Sequence, residues 1–343
     1  MGSMNLDLLK KLCDVSGLPG QEEKVTQIIR EDVSEYADKV YTDHLGNLYM
    51  EKGLGKSGPH LMFAAHTDEV GLMVEKIDED GCIKFLPLGG VDSRVLLAKR
   101  VRVGENEITG VIGVKPHHLS TFEEQSKVIP IHELRIDIGS ASKIQTEKFV
   151  QVGDPICFDT VFELQDGCVK AKALDDRVGC FIMTELIKGT FDIPVTFVWT
   201  VQEEVGLRGA SLATARIQPD ILIVLEGTGA ADVPVNGDLA RNPSLGAGPV
   251  ITVLDGSVVC NEDLLNLFTE VANSNNIPWQ YKRPLVGGTD AGAAVRVKSL
   301  RTAVVAVPSR YIHSPVALTT LSDINTTLEL VRATSRKLGE VFS

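Results

Sequence analysis

The stretch Pro194-Val-Thr-Phe-Val-Trp-Thr-Val-Gln-Glu-Glu-Val-Gly206 holds a short apolar run that stops at two adjacent glutamates. The run is rich in β-branched and aromatic residues and is too short for a helix, so it predicts a buried strand. Because neighbouring side chains on an extended backbone point to opposite sides, we expect Glu203 and Glu204 to have different roles. A lone pair of this kind is more typical of a solvated strand end, but other strands of this chain also end in acids and histidines.

Strands and helices alternate on both sides of this stretch. Apolar runs at 60–65, 220–225 and 300–307 predict further buried strands. Apolar residues at helical spacing predict helices at 177–188 and 320–342. This alternation is typical of an α/β fold with a mixed central sheet and helices on both of its faces.

One region departs from the alternation. Residues 72–167 contain short alternating segments separated by glycine turns, which predict a β-rich barrel or sandwich. We therefore expect an α/β domain that is split in sequence, formed by residues 4–71 and 168–343. A β-rich, barrel-like domain, residues 72–167, is inserted between the two parts.

Composition excludes several classes of protein. The 343 residues carry a net charge of −12, which argues against nucleic acid or an anionic membrane as partner. Six scattered cysteines without a C-x-x-C pair indicate reduced thiols, not a disulfide framework or a zinc ribbon. No signal peptide and no run of about 18 apolar residues is present, so we expect a cytoplasmic protein. Met1-Gly-Ser3, ahead of Met4, indicates a remnant of cloning.

Five short polar motifs punctuate the α/β region, and four of them follow an apolar, strand-like run within a few residues. Ligands of open α/β sheets bind outside the carboxyl ends of the strands, and histidine with carboxylate suits zinc, cobalt or manganese. Each motif alone is more simply a satisfied polar residue or a helix start with a salt bridge, but together they predict a metal site. The motifs are His66-Thr-Asp68, Leu174-Asp-Asp-Arg177, Gln202-Glu-Glu204, Leu225-Glu-Gly227 and Tyr311-Ile-His313.

These motifs, in their wider context, resemble those of the dinuclear metallo-aminopeptidases, the family of the tetrahedral aminopeptidases and the bacterial glutamyl aminopeptidases. The resemblance spans nearly the whole chain, including the position of the inserted domain. It implies a metallo-exopeptidase type of fold and the removal of N-terminal residues from short peptides. It also implies two divalent metal ions per subunit, zinc or cobalt with manganese as a third candidate. The matching segments are Ala65-His-Thr-Asp-Glu-Val-Gly71, Lys172-Ala-Leu-Asp-Asp-Arg177, Val201-Gln-Glu-Glu-Val-Gly206, Gly287-Gly-Thr-Asp-Ala291 and Tyr311-Ile-His-Ser-Pro315.

The resemblance also implies a role for each matched residue. Asp68 orients His66, Glu203 is the general base, and the Asp175–Asp176 peptide bond is cis. The family more usually has an aspartate where Glu226 stands, a departure that affects how one metal is chelated or which metal is preferred. The implied ligands are Asp175 for both metals, His66 and Glu226 for one metal, and Glu204 and His313 for the other.

The segment Gly288-Thr-Asp290 corresponds by resemblance to the substrate pocket, although a turn into a helix at 291–295 is the simpler explanation. Lys282 and Arg283, or Arg310, are candidates for selecting an acidic N-terminal residue, although such side chains are usually only solvated. The adjacent histidines His117 and His118 are better explained by a loop contact than by a metal pair. The resemblance further implies a homo-oligomer, a tetrahedral dodecamer built from dimers through the inserted domain.

Three alternatives to an aminopeptidase remain open at this point. A deacylase or another amidohydrolase would use the same pair of metals. A glycosidase would also need paired carboxylates, but the chain has only 5% aromatic residues for sugar platforms and a glycosidase has no use for His66 or His313. A non-catalytic peptide-binding scaffold is disfavoured because Glu203, the expected base, is present.

Overall fold

The structure is a computed structural model that describes residues 4–233, 243–283 and 285–342. Met1–Ser3, where the sequence predicts a remnant of cloning, lie outside the described residues, as do residues 234–242, 284 and 343 of the expected α/β domain. The helices and strands of the described residues, in chain order, are as follows. The helices are α1 Leu6–Asp14, α2 Glu23–Val33, α3 Phe122–Gln125, α4 Lys143–Thr146, α5 Leu174–Ile187, α6 Arg208–Ile217, α7 Glu262–Ser274, α8 Asp290–Val297 and α9 Leu321–Val341. The strands are β1 Lys39–Thr42, β2 Leu48–Lys52, β3 Leu61–His66, β4 Gly71–Ile77, β5 Ile83–Leu88, β6 Arg100–Val103, β7 Ile108–Gly113, β8 Arg135–Asp137, β9 Pro155–Phe158, β10 Glu163–Gln165, β11 Cys168–Ala171, β12 Val195–Thr200, β13 Ile221–Gly229, β14 Val250–Thr252, β15 Gln280–Tyr281, β16 Arg301–Ser309 and β17 Ala317–Thr320.

The larger sheet has eight strands in the order β1-β2-β12-β3-β13-β16-β14-β15. Its four central strands, β12, β3, β13 and β16, run parallel to one another, and β2 and β14 pair antiparallel to them on either side. Every residue of β3 and of β12 is buried. Strands covered on both faces require such continuous apolar runs, which is why the sequence predicts these strands correctly.

Two groups of helices cover this sheet. Helix α5 packs on β3 and β13 and also contacts α1 and α9, whereas α6 and α8 pack together against β12, β13 and β16. The predicted fold class is confirmed: the chain has an α/β fold with a large mixed sheet, helices and a closed six-stranded barrel. The first turn of α5 is irregular, because Asp175 and Asp176 have non-helical backbone angles and are joined by the cis peptide bond that the resemblance implied.

The barrel is formed by the strands between Gly71 and Phe158, in the closed order β4-β5-β8-β7-β6-β9. It has a core of its own, separate from that of the larger sheet, built from inward-facing residues such as Leu72, Val101 and Ile136. The β-rich character predicted for this region is present, and a third sheet joins β10 and β11, which follow the barrel in sequence, to β17. The domain boundaries at 71/72 and 167/168 stay a prediction.

The short helix α3 was not predicted, although its signal is local. Thr121 caps its first turn, and the Glu124 side chain returns a contact to the backbone of Thr121. This capping box is readable as Thr-x-x-Glu. No described helix is long and apolar enough to cross a membrane.

Candidate metal centre

The five predicted motifs converge at the edge where the parallel strands end. His66 is the last residue of β3, and Glu226 lies in the second half of β13. Glu203 and Glu204 follow the end of β12 within four residues, and His313 follows the end of β16 within four residues. The carboxyl ends of parallel strands lie together, so side chains that are far apart in sequence meet there.

Asp175 lies between the two histidines. Its Oδ1 atom is 3.4 Å from Nε2 of His66, and its Oδ2 atom is 3.5 Å from Nε2 of His313. Glu226 Oε2 lies 3.5 Å from the same nitrogen of His66, and Glu204 Oε1 lies 3.6 Å from that of His313. The residues thus form two groups that share one carboxylate, the grouping that the resemblance implied.

Both histidines are held through their other ring nitrogen. His66 Nδ1 faces the backbone carbonyl of Asp68 at 3.1 Å, and His313 Nδ1 faces that of Gly90 at 3.0 Å. A carbonyl only accepts hydrogen bonds, so each Nδ1 carries a hydrogen and each Nε2 is the ring atom directed at the carboxylates. Gly90 belongs to the barrel, and nothing in the sequence links it to a histidine 223 residues away.

Asp68 does more than its predicted contact with His66. Its Oδ1 lies 3.6 Å from His66 Nδ1, which is longer than a hydrogen bond. Instead, the backbone N–H of Glu203 donates to Oδ1 and that of Glu204 donates to Oδ2, both at 2.9 Å. The carboxylate of Asp68 therefore fixes the turn that carries the two glutamates.

Burial, and to a lesser extent repulsion between neighbouring carboxylates, shifts the pKa values of the cluster. Burial raises the pKa of Glu204 to about 7, against the opposing charge of His313. Burial likewise holds the pKa of Glu203 and of Glu226 well above the usual range. Burial lowers the pKa of His313, but its contact with Asp175 and the charge of Glu204 dominate and raise it to about 9. Metal ligands bind in their deprotonated forms, so a divalent ion at this cluster would oppose these shifts and favour the carboxylates and neutral histidines.

The donor atoms fit divalent ions. Asp175 Oδ1 and Glu226 Oε1 are buried without a hydrogen-bond partner, which is costly unless another group satisfies them. Atoms bound to one ion at about 2.0–2.2 Å lie about 3.3–3.6 Å apart around a tetrahedron. The separations of 3.4 to 3.6 Å between the ring nitrogens and the carboxylate oxygens match that spacing. Glu226 stands where the family more usually has an aspartate. It lies as close to its histidine as the other carboxylates lie to theirs.

Glu203 lies beside both groups. One of its carboxylate oxygens is within 4.8 Å of donor atoms of His66 and Glu204, so these three residues form a further possible metal-binding set. That set does not include Asp175, which the other two sets share.

A cavity of about 470 Å³ opens onto the cluster. Glu203 and His66 form part of its wall, and Gly288 and Thr289 of the predicted substrate segment line it. Asp290, the third predicted substrate residue, is not among the lining residues. It is buried and accepts a hydrogen bond from the Thr200 hydroxyl at 2.6 Å. A larger cavity of about 910 Å³ lies elsewhere, between α2 and the barrel, and none of the metal-binding sets faces it.

The candidate specificity cations differ in what they contact. Lys282 and Arg283 line the cavity, and the structure gives neither side chain an ion pair within the described parts of the chain. Arg310 donates two hydrogen bonds to Asp232, at 2.8 and 2.6 Å, so its charge is already balanced. His117 and His118 lie on an exposed turn away from the three metal-binding sets.

Comparison with known proteins gives a family match. A sequence profile of the M42 glutamyl aminopeptidase family matches residues 46–330. The chain belongs to the M42 glutamyl aminopeptidase family. Membership makes it a peptide hydrolase and implies divalent metal ions, for which the site supplies candidate ligands.

Individual relatives of this M42 chain cover nearly its whole length. A putative aminopeptidase of Acetivibrio thermocellus is 37% identical over 95% of this chain and 96% of its own. The lysyl aminopeptidase of Pyrococcus furiosus is 33% identical, with 97% of each chain covered. Among solved structures, the TET1 peptidase of Pyrococcus horikoshii, described as assembling into a tetrahedron or a large octahedral shell, superposes with a TM-score of 0.86. It is 34% identical, with 98% of this chain and 100% of that chain covered.

Proposed function

We propose that the protein is a metal-dependent aminopeptidase that removes N-terminal residues from short peptides. The observation that carries this proposal is the position of Asp175, whose two oxygens face two separate groups of ligands at the wall of one cavity. His66 and Glu226 would hold one divalent ion with Asp175, and Glu204 and His313 would hold a second. Zinc and cobalt suit these nitrogen and oxygen donors best, with manganese as a third candidate.

When bound, such ions act as Lewis acids that lower the pKa of water and polarise the scissile carbonyl group. The residues of the chain move the proton. Glu203 reaches the cavity from a turn that Asp68 fixes, and burial keeps the pKa of Glu203 well above its usual range. A carboxylate with a raised pKa suits a base that takes the proton of the attacking water and then gives it to the leaving amine.

The test compares free aminoacyl chromogenic substrates with the same substrates blocked at the α-amine. The proposal predicts cleavage of the free substrates only, and loss of that cleavage with a chelator that added Zn²⁺ or Co²⁺ reverses. Equal cleavage of blocked substrates would instead indicate a deacylase or another amidohydrolase. Release of reducing sugar from glucans would indicate a glycosidase.

We further propose that the enzyme prefers an acidic N-terminal residue. The support is the pair of cations that line the cavity: Lys282, whose Nζ atom lies near Gly287, and its neighbour Arg283. An unpaired cation at a cavity wall is available to a substrate carboxylate. The name of the M42 family points the same way, although one relative is a lysyl aminopeptidase.

Substitution tests this preference. Arg283→Met and Lys282→Met should each lower kcat/KM for a glutamyl substrate by about tenfold or more, which is about 1.4 kcal/mol, and leave an alanyl substrate little changed. Arg310→Met is the matched control, because Asp232 already balances Arg310, and it should leave the glutamyl to alanyl ratio as it is. A wild-type enzyme that prefers lysyl substrates would refute the proposed preference.

We also propose that the chain forms a homo-oligomer, a tetrahedral dodecamer built from dimers, in the cytoplasm. The assembly of the Pyrococcus horikoshii neighbour supports the first part. The six cysteines, all unpaired, support a reducing compartment. Light scattering of the purified protein would separate a dodecamer from a dimer.

A further inference from the structure

Three charged side chains are fully buried behind the metal centre and are not used by the proposed reaction. Glu69, Lys172 and Arg177 are each no more than 2% exposed. Lys172 Nζ donates to both oxygens of Glu69, at 2.6 and 2.8 Å, and Arg177 Nη2 donates to Glu69 Oε1 at 3.3 Å. We refer to these three residues as the buried ion cluster.

The buried ion cluster joins the two chain segments that carry the ligands of one proposed metal. Glu69 follows His66 by three residues, and Lys172 precedes Asp175 by three. Arg177, two residues beyond Asp175, donates from Nε to the backbone carbonyl of Thr67 at 3.1 Å. Each segment is thus tied to the other within a few residues of its ligand.

A third segment, at the end of helix α1, also forms hydrogen bonds with the buried ion cluster. Lys172 Nζ donates to the backbone carbonyl of Val15 at 2.8 Å, and Arg177 donates to that of Leu12. The backbone N–H of Gly17 donates to Glu69 Oε1 at 3.1 Å. A Cβ atom at Gly17 would lie 2.7 Å from Arg177 Nη2, so only glycine permits this close approach.

We infer that the buried ion cluster positions His66 and Asp175 relative to each other and so sets the affinity for the metal that these residues would hold. The inference rests on the proposed function and deepens it. Charges removed from water persist only when each is well paired, so the cluster has one low-energy arrangement and transmits that arrangement to the segments it joins. The separation of 3.4 Å between His66 Nε2 and Asp175 Oδ1 depends on those segments. Glu69, Lys172 and Arg177 are positioning residues, since none of them reaches the cavity.

The test measures the apparent dissociation constant for Zn²⁺ alone, by competition with a chelator, together with the melting temperature of the metal-free protein. Glu69→Gln and Lys172→Met are the two main variants. Each should weaken Zn²⁺ binding by about 10–100-fold, the usual effect of groups that orient metal ligands. Lys172→Arg keeps the charge and should remain within a few-fold of the wild type.

The two main variants also separate positioning from a simple electric field. Glu69→Gln makes the interior more positive and Lys172→Met makes it less positive. A field effect would therefore weaken Zn²⁺ binding in the first and strengthen it in the second, whereas loss of positioning weakens both. Opposite changes would overturn the inference.

Lys188→Met is the matched control. Lys188 lies at the other end of helix α5 and pairs with Asp32 at 3.1 Å and with Glu185 at 2.8 Å. The Lys188→Met variant should leave Zn²⁺ binding within about twofold even if it lowers the melting temperature.

If the wild type binds Zn²⁺ and both main variants bind it equally well, the inference is wrong and the proposed function stands. If the wild type binds none, the proposed function fails. Should Lys172→Met not fold, Glu69→Gln, which changes no side-chain volume, decides the question with Lys172→Arg.

Discussion

The two halves of the proposed metal centre are held by different parts of the molecule. His66 is 2% exposed and belongs to a central strand of the larger sheet, with the buried ion cluster behind it. His313 is 39% exposed, lies on a loop in the left-handed backbone region, and is oriented by Gly90 of the barrel. One half is part of a core, and the other half lies where the larger sheet meets the barrel.

This difference predicts that the two proposed ions behave differently. Ligands that are fixed in a core cannot separate without disturbing the sheet, so the His66 half should bind its ion tightly and release it slowly. The His313 half can open when its loop or the barrel loop moves, and its ion should exchange faster. Asp175 belongs to both halves and couples them.

The largest effect is expected when the shared ligand is removed. Asp175→Ala should abolish the tight binding of both ions and lower activity by at least about a thousandfold, or about 4 kcal/mol of barrier. Metal content after dialysis, measured by mass spectrometry, is the readout. Retention of one ion at wild-type affinity would show that Asp175 is not shared.

A smaller and unequal effect is expected from the two histidines. His66→Ala should lose the tightly bound ion, and excess Zn²⁺ should not restore activity. His313→Ala should lose the other ion but recover part of its activity, to within about tenfold of wild type, as Zn²⁺ or Co²⁺ is added, because its remaining ligands stay in place. Equal recovery of both variants would contradict the difference between the halves.

The smallest effect concerns Glu22, which supports the turn between the halves. Glu22 Oε1 accepts hydrogen bonds from the backbone N–H of Gly20 at 2.8 Å and of Gln202 at 3.1 Å. Burial raises the pKa of Glu22 from 4.5 to about 7. The folded state therefore holds a proton that the unfolded state releases, and stability falls as pH rises from about 4.5 to about 7.

Glu22→Gln removes this titration. The variant should be more stable than the wild type at pH 8, by at most about 3 kcal/mol, and the difference should shrink toward pH 5. Thermal unfolding at both pH values provides the measurement, with the exposed neighbour Glu23→Gln as control. A difference that does not change with pH would show that burial does not shift the pKa of Glu22.

The sequence predicts much of this arrangement because its signals are local. Continuous apolar runs reveal the parallel strands, alternation reveals the barrel strands, and polar residues after strands reveal the edge where the site forms. The contacts that hold the site are not local. Asp68 binds the turn at Glu203 across 135 residues, and Gly90 reaches His313 across 223. Those partners depend on which strands lie side by side. The spacing of residues along the chain does not specify that order of strands.

The orientation of Asp290 also could not be predicted from the sequence. Its motif suggests a substrate contact, but the start of helix α8 turns its side chain toward Thr200, while the preceding Gly288 and Thr289 line the cavity. Which residues of a short motif face a cavity is decided by the orientation of the helix that follows. The sequence does not contain that orientation.

Glu203 is the proposed proton carrier and binds no metal in this proposal, and Glu203→Gln tests that role most directly. Activity on a free aminoacyl substrate and metal content should be measured on the same sample. We predict that activity falls by about 10²–10⁴-fold, the usual contribution of a general base, with both ions retained. Activity within tenfold of wild type would contradict the role as base, and loss of an ion would make Glu203 a ligand instead.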